Sequence, residues 1–297
     1  MILLTGASGF IGKHLLSALI KEYGSEHVLA FTSVPVSNCR YLLHNDYNFD
    51  SDYFVKAGFA NSIKTIIHAG AFIPKNNSHA NNWQKCNFNV INTDKLLKAS
   101  LPVLEKFIYL STVDIYGSDE IISEESPVKP VSLYGDSKLY SEKMIAAWAG
   151  TEGKIYQLLR IGHTYGPGEE MYQKVIPVTI TKLLEGKPLQ IWGAGTELRS
   201  FIYINDLVTA ILNSVKLDGY IGPVNIASSQ RISIKELVDK LIIVSGIQPV
   251  VEKIPSNTPG RNLVFDNSKM KKYLSVSETP LDEGLSEEWN YMRQRKG

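Results

Sequence analysis

Tyr134 and Lys138 stand four residues apart, a spacing that on a helix puts a phenol and an ammonium on one face. Alone the pair means little, because such spacings arise by chance. Its surroundings give it meaning. An apolar run from Phe107 to Leu110 ends in Ser111-Thr112, a Tyr116-Gly117 turn follows, and Tyr134 comes next. Phenol, ammonium and hydroxyl together suit the interconversion of a carbonyl and an alcohol. A phenol with a pKa near 10 is a poor base at neutral pH, and a neighbouring ammonium favours the phenolate. Lys138 can also hold a ribose, and the Thr112 hydroxyl can hydrogen-bond the substrate oxygen. Hydride must then come from a cofactor.

A place for that cofactor stands at the amino terminus. Thr5-Gly6-Ala7-Ser8-Gly9-Phe10-Ile11-Gly12 follows an apolar run and opens a helical pattern. Gly6 permits a tight turn, Gly9 lets the backbone approach a pyrophosphate, and Gly12 lets helix and strand pack closely. The anion would sit at the positive end of the helix. Roughly 20 residues further on, a site for NAD usually offers a carboxylate to the ribose. Here Val28 to Phe31 leads instead to Thr32-Ser33, with Arg40 in the following loop. Hydroxyls beside a cation tolerate a 2′-phosphate that a carboxylate would repel, so NADP(H) is favoured over NAD(H).

The elements that must position these groups follow from periodicity. Ile2–Leu4, Val28–Phe31, Thr65–His68, Phe107–Leu110 and Ile155–Leu159 are unbroken apolar runs. Strands of that kind are buried on both faces. Helical stretches separate them, at about Phe10 to Glu22, Asp50 to Phe59, Asn82 to Ser100 and Ser132 to Ala149. The pattern predicts an α/β fold, a doubly wound parallel sheet of the Rossmann type. After Leu159 glycine and proline cluster, and shorter helices are expected at about Tyr172 to Glu185, Asn205 to Val215 and Ser233 to Ser245. The expected division is a dinucleotide-binding domain over 1–165, with 201–228 returning to it. A smaller, loop-rich substrate-binding portion would then take 166–200 and 229–297. The charged end, Glu287 to Gly297, is expected to fray.

Composition excludes several classes. With 31 basic and 30 acidic residues the net charge is +1, which gives no footprint for nucleic acid or an anionic membrane surface. Two cysteines, Cys39 and Cys86, are too few for a disulfide framework or a thiolate zinc site, and no histidine pair has metal-ligand spacing. No apolar run has the roughly 18 residues of a membrane span, and a strand beginning at Ile2 leaves no room for a secretory signal. A cytoplasmic protein without metal is expected.

The Gly-x-x-Gly-x-x-Gly spacing with Phe10-Ile11, and the Thr112…Tyr134-x-x-x-Lys138 pattern, resemble the extended short-chain dehydrogenase/reductase family, whose members work on nucleotide sugars. The resemblance covers almost the whole chain and implies Thr112, Tyr134 and Lys138 as the catalytic set. It implies cofactor contacts at Gly6, Ser8, Gly9, Phe10, Ile11, Gly12, Thr32, Ser33, Arg40, Asp46, Tyr47, Ala69, Gly70, Ala71, Asn89, Tyr134 and Lys138. Among these, Asp46 would face the adenine amino group, and Asn89 is a structural accompaniment. Leu159 to Gly168 is similar to the family's Leu-Arg…Tyr-Gly-Pro turn. Arg199 and Arg261 correspond to residues that grip the nucleotide diphosphate, a task suited to guanidinium. Thr112 and His163 complete the implied substrate set, and a homodimer through the helices near 82–100 and 132–149 is implied as well.

Two departures narrow the chemistry. Sugar 4,6-dehydratases of the family resemble one another in a Thr-Asp-Glu run, which here is Thr112-Val113-Asp114. Val113 cannot transfer a proton, so dehydration ranks low. His163 replaces a common asparagine and is similar to a turn in reductases of nucleotide-linked 4-keto-6-deoxy sugars; a histidine packed under the loop is the plain alternative. NADPH-dependent 4-ketoreduction is the first expectation, an NAD-dependent 4-epimerase the alternative, and a non-catalytic dinucleotide-binding regulator the third.

Overall fold

The computed structural model describes residues 1–117, 120–256 and 260–296, apart from the side chain of Asn77. Its first half runs β1 (Ile2–Thr5), α1 (Phe10–Tyr23), β2 (Val28–Thr32), β3 (Arg40–Leu43), α2 (Tyr53–Lys56), β4 (Thr65–His68), α3 (Trp83–Leu97), β5 (Lys106–Thr112) and α4 (Leu133–Glu152). Next come β6 (Ile155–Ile161), β7 (His163–Tyr165), α5 (Val175–Leu184), β8 (Leu189–Trp192), β9 (Leu198–Tyr203) and α6 (Ile204–Val215). The chain continues through β10 (Val224–Ile226), β11 (Arg231–Ser233), α7 (Ile234–Ser245), β12 (Val251–Ile254), α8 (Ser268–Leu274) and α9 (Leu281–Lys296).

Seven strands form one parallel sheet in the order β10-β6-β5-β4-β1-β2-β3. Alternate residues of its apolar strands feed two cores. Ile2, Leu4, Ile67, Ile108, Leu110 and Leu159 pack with α1, α5 and α6, whereas Leu3, Leu29, Phe31, Ile66, Phe107 and Leu158 pack with α2, α3 and α4. A strand that serves both faces has no polar alternation, which is why the sequence reads as a doubly covered parallel sheet. The winding reverses between β1 and β4, where such sheets open a crevice at their carboxyl ends.

Two smaller sheets lie in the second half. β7, β9 and β11 form one, with β7 parallel and β11 antiparallel to β9, and β8 pairs with β12. β10 belongs to the large sheet, beside β6.

Three local expectations change. The helix expected from Asp50 to Phe59 shrinks to the single turn of α2, which ends before Gly58 at φ +79°. α5 starts at Val175, because Glu169–Met171 form a 3₁₀ turn and the backbone is extended at Tyr172 and Lys174. The charged end does not fray over its described residues: α9 reaches Lys296, with Trp289 and Met292 buried and Lys296 paired to Glu185 at 2.9 Å.

Candidate active site

The turn after β1 is built from backbone contacts. Gly6 has φ +69°, and a Cβ there would come within 2.6 Å of the Gly70 Cα; one on Gly12 would lie 2.0 Å from the Gly6 carbonyl oxygen. Strand, turn and helix therefore pack as backbone on backbone. Gly9 caps α1 with no side-chain hydrogen bond, and no acidic residue stands in the first turn. An open helix amino terminus of this kind suits a pyrophosphate. Ser8, Gly9 and Ile11 are half-buried around it and Phe10 is buried. The loop after β7 rests on the same corner, with His14 Nε2 and the Pro167 carbonyl oxygen 2.8 Å apart.

Next to this turn, Ala69, Gly70 and Ala71 continue β4. Tyr47 is buried at positive φ with its hydroxyl over Gly70, where a Cβ would approach to 1.9 Å; Asp46 also has positive φ and is exposed. Asn89 is buried in α3 and braced on protein atoms: Phe72 N–H donates to its Oδ1 at 2.7 Å, and its Nδ2 donates to the Phe72 carbonyl and to Ser137 Oγ.

The ribose end corrects one expectation. Arg40 pairs with Leu29 at the amino end of β3 and donates to the carbonyl of Glu26, which precedes β2. Its guanidinium lies over the Phe59 ring. The glycine turn opens at the carboxyl edge of the sheet, roughly 10 Å of strand away. Parallel pairing puts the start of β3, and Arg40 with it, at the opposite edge from that turn, not in the loop beside Thr32-Ser33. The Thr32 hydroxyl is buried and donates to the Val34 carbonyl at 3.1 Å, while Ser33 is exposed.

Thr112, Tyr134 and Lys138 are brought together and buried, at 6%, 7% and 3% exposure. Ser132 caps α4, accepting from Gly135 N–H at 3.2 Å, and Gly135 packs so tightly that a Cβ would stand 2.6 Å from the Asp114 carbonyl oxygen. The buried face of α4 carries Tyr134, Ser137, Lys138, Ser141 and Glu142 before it reaches Ile145. Glu142 on that face pairs with the buried Arg160 at 2.9 Å, and Ser137 and Ser141 donate to carbonyls of α4 itself, which leaves Tyr134 and Lys138 as its chemically reactive groups.

Burial raises the Tyr134 phenol above its ordinary value, as do the nearby Asp114 carboxylate and Tyr109, while the Thr112 hydroxyl opposes them. Burial pulls the Lys138 ammonium down to about 7 against the opposing charge of Glu142. Its Nζ donates to the Leu110 carbonyl at 2.5 Å and lies 4.2 Å from the Tyr109 ring centre. Asp114 is half-buried, its carboxyl raised by burial and lowered by the Thr112 hydroxyl, Arg261 and Lys174.

A cation-rich corner faces this trio. His163 on β7, Arg199 on β9, Arg261 and Lys174 converge: burial drives the His163 imidazole down to about 3, and the charges of Lys174, Arg199 and Arg261 push the same way. Among the described residues, His163 Nδ1 and Arg261 Nε are buried without a hydrogen-bond partner. Arg199 donates to the Leu198 carbonyl at 2.9 Å and to that of Arg261, and Arg261 donates to the carbonyls of Tyr116 and Gly117. Gathered cations with an unspent guanidinium N–H at Arg261 fit an anionic ligand. Lys174 was missed by the sequence reading. It donates to the Thr164 carbonyl at 2.8 Å and to Glu169 at 3.0 Å, and its one signal was a cation just before the Val175-Ile176-Pro177 helix start.

Among the described residues no group of His, Cys, Asp and Glu is arranged to hold a metal ion, and no helix is long and apolar enough to cross a membrane.

Comparison with known proteins gives a consistent picture. Residues 2–226 match the model of the NAD dependent epimerase/dehydratase family. The uncharacterized UDP-glucose epimerase YtcB of Bacillus subtilis is 30% identical, over 98% of this chain and 97% of its own. A trifunctional UDP-glucose 4,6-dehydratase/UDP-4-keto-6-deoxy-D-glucose 3,5-epimerase/UDP-4-keto-L-rhamnose-reductase of Arabidopsis thaliana is 28% identical over 97% of this chain, which spans only 47% of that longer protein. Among solved structures, UDP-glucuronic acid 4-epimerase from Bacillus cereus, in complex with UDP-glucuronic acid and NAD, superposes with a TM-score of 0.86 at 28% identity, covering 99% of both chains.

Proposed function

The chain belongs to the NAD dependent epimerase/dehydratase family, and from that premise we propose that it is a nucleoside-diphosphate-sugar 4-epimerase that retains NAD through its cycle. This reverses the order expected from sequence, where NADPH-dependent ketoreduction came first. The observation that carries the change is the position of Arg40, whose guanidinium is tied to the Glu26 carbonyl at the amino edge of the sheet. Without that cation the reason for a 2′-phosphate falls away. The Bacillus cereus 4-epimerase, similar over its full length, holds NAD.

Residues of this chain take defined parts in that reading. The open amino terminus of α1 would hold the pyrophosphate, and Lys138 would hold the nicotinamide ribose. When bound, NAD would supply the hydride acceptor and a positive charge. Tyr134 takes the proton of the sugar 4-hydroxyl and returns it, while the Thr112 hydroxyl keeps the oxygen in line. Burial and Asp114 favour the protonated phenol, so Tyr134 must release that proton to solvent before it can take one from the sugar, and the positive charge of Lys138 and of a bound dinucleotide would favour that release. Arg199, Arg261 and Lys174 would anchor the diphosphate so that the sugar turns about a fixed point. His163, held neutral, would offer that ligand a neutral N–H. Val113, where the dehydratase acid would stand, cannot itself give a proton to a leaving hydroxyl.

The absence of a carboxylate in Thr32-Ser33 still favours the 4-ketoreductase as a second reading. A homodimer is part of the proposal. The outer face of α3 and α4 exposes Trp83, Phe88, Leu133 and Tyr140, an apolar surface of the kind a partner covers.

Proton NMR of UDP-glucose or UDP-glucuronic acid incubated with the protein, with no dinucleotide added, tests the proposal. The expected result is the 4-epimer at equilibrium. No epimer, together with NADPH oxidation driven by a nucleotide-linked 4-keto sugar, would establish the reductase instead.

A further inference from the structure

A hydrogen-bond path joins the glycine turn after β1 to the helix carrying Tyr134, and counting hydrogens fixes its direction. The Thr93 hydroxyl donates its one hydrogen to the Asn89 carbonyl at 2.8 Å, so toward His68 Nε2, 3.3 Å away, it can only accept. His68 therefore carries its hydrogen on Nε2. Its Nδ1 is a bare acceptor and takes the hydrogen of the Thr5 hydroxyl at 2.7 Å, whose oxygen accepts from Gly70 N–H at 3.0 Å. Every donor in the chain is used once. A hydrogen on Nδ1 would break the Thr93 link, because a bare Nε2 and the Thr93 oxygen would face each other as two acceptors; the Thr5 hydroxyl, which can donate or accept, does not decide between the tautomers.

The two ends of the path are the two halves of the site. Gly70 is the residue against which Gly6 packs. At the other end Asn89 donates to Ser137 Oγ at 3.3 Å, and Ser137 donates to the Tyr134 carbonyl at 2.8 Å. His68 is 2% exposed and is faced by Lys138 from α4, Tyr109 from β5 and Tyr47 from the loop after β3. Burial and the Lys138 charge hold it well below the usual histidine range, so it stays neutral.

We propose that His68 is a positioning residue which, as a neutral Nε2–H imidazole, sets the spacing between the dinucleotide turn at Gly6 and Gly70 and the Tyr134 helix. The functional part of this rests on the reading of those two elements given above; the tautomer does not.

Nitrogen-15 NMR of histidine-labelled full-length protein reads the tautomer directly, with His68 assigned by loss of its signals in a His68 variant. The expected spectrum shows Nε2 protonated and Nδ1 bare, with no titration between about pH 5 and 8, whereas an ordinary histidine titrates near 6.5. An Nδ1–H tautomer, or titration near 6.5, overturns the proposal. The kinetic test uses two half-substitutions. His68→Gln keeps a donor toward Thr93 and loses the acceptor for Thr5, so the Kd for NAD should rise about tenfold while kcat changes less. His68→Asn keeps the acceptor and loses the donor, so kcat should fall about tenfold with the Kd for NAD held within about threefold. Equal losses in both quantities in both variants, tracking a fall in Tm, would mean that His68 only fills space. Should either variant fail to fold, the NMR measurement on the unaltered protein still decides. The expected tautomer in a protein that turns over no nucleotide sugar supports the positioning role and tells against the proposed reaction.

Discussion

The dinucleotide corner and the cation corner face each other across the same crevice, but they are built in opposite ways. The first is local and made of backbone: Gly6, Gly9 and Gly12 lie within one turn, and only Gly70 comes from elsewhere. The second gathers Lys174 from the start of α5, Arg199 from β9, His163 from β7 and Arg261 from a loop after β12. A group held by backbone amides needs no net charge. A group held by guanidinium and ammonium needs cations that repel one another until an anion arrives; burial is the main cause that lowers His163 and Arg199, and the neighbouring cations push the same way. The proposed retention of the cofactor and exchange of the substrate would fit this division. The preformed corner suits the group that stays, and the charged corner suits the group that comes and goes.

Substitutions can break the comparison, and the largest effect belongs to the residue between the corners. Tyr134→Phe should lower kcat by about 10²–10⁴ while NAD still binds; unchanged turnover would mean a different acid. In the backbone corner, Gly6→Ala puts a methyl against the Gly70 backbone at positive φ. NAD affinity should fall on the order of 100-fold, the combined cost of strain and overlap, as calorimetric titration will show. In the charged corner, Arg261→Ala should raise KM for the nucleotide sugar by about 10–100-fold, the loss of charged hydrogen bonds, with little change in NAD affinity. A matching loss of NAD affinity would erase the division between the corners.

Acidity sharpens the same contrast more gently. Lys138 is pulled down to about 7, so above that pH the free protein carries a neutral amine and must take up a proton to offer an ammonium to a ribose. NAD affinity should be flat below pH 7 and fall above it by up to about tenfold per unit. Lys138→Met should remove the slope, and a slope that survives would assign it elsewhere. The smallest expected effect is at Arg40. Replacement by alanine should leave the ratio of NAD to NADP affinity unchanged, and a marked loss of NADP affinity would return Arg40 to the ribose.

Sequence alone reached the backbone corner because its parts are contiguous and their order on strand, turn and helix is itself the signal. It reached the parallel sheet because Leu3 and Leu4 point to different cores, leaving an unbroken apolar run. Context and family resemblance singled out Tyr134 and Lys138, which the structure buries side by side with Thr112, but not the partners of Lys138, since the Leu110 carbonyl and the Tyr109 ring come from the neighbouring strand. Arg40 misled because nearness in sequence to Thr32 was taken as nearness in space. A parallel strand must return to the other edge before it pairs, and Arg40 sits at that return. Lys174 stayed hidden because nothing local marks a lysine whose partners are Thr164, Glu169 and a histidine on another strand.

The central claim is that NAD remains in the preformed corner from one turnover to the next. Freshly purified protein, denatured and its released dinucleotide identified by mass spectrometry, tests this directly. The expected result is NAD in near-equal amount to the chain. Release of NADP, or an empty protein that consumes added NADPH in proportion to a 4-keto sugar nucleotide, would contradict it.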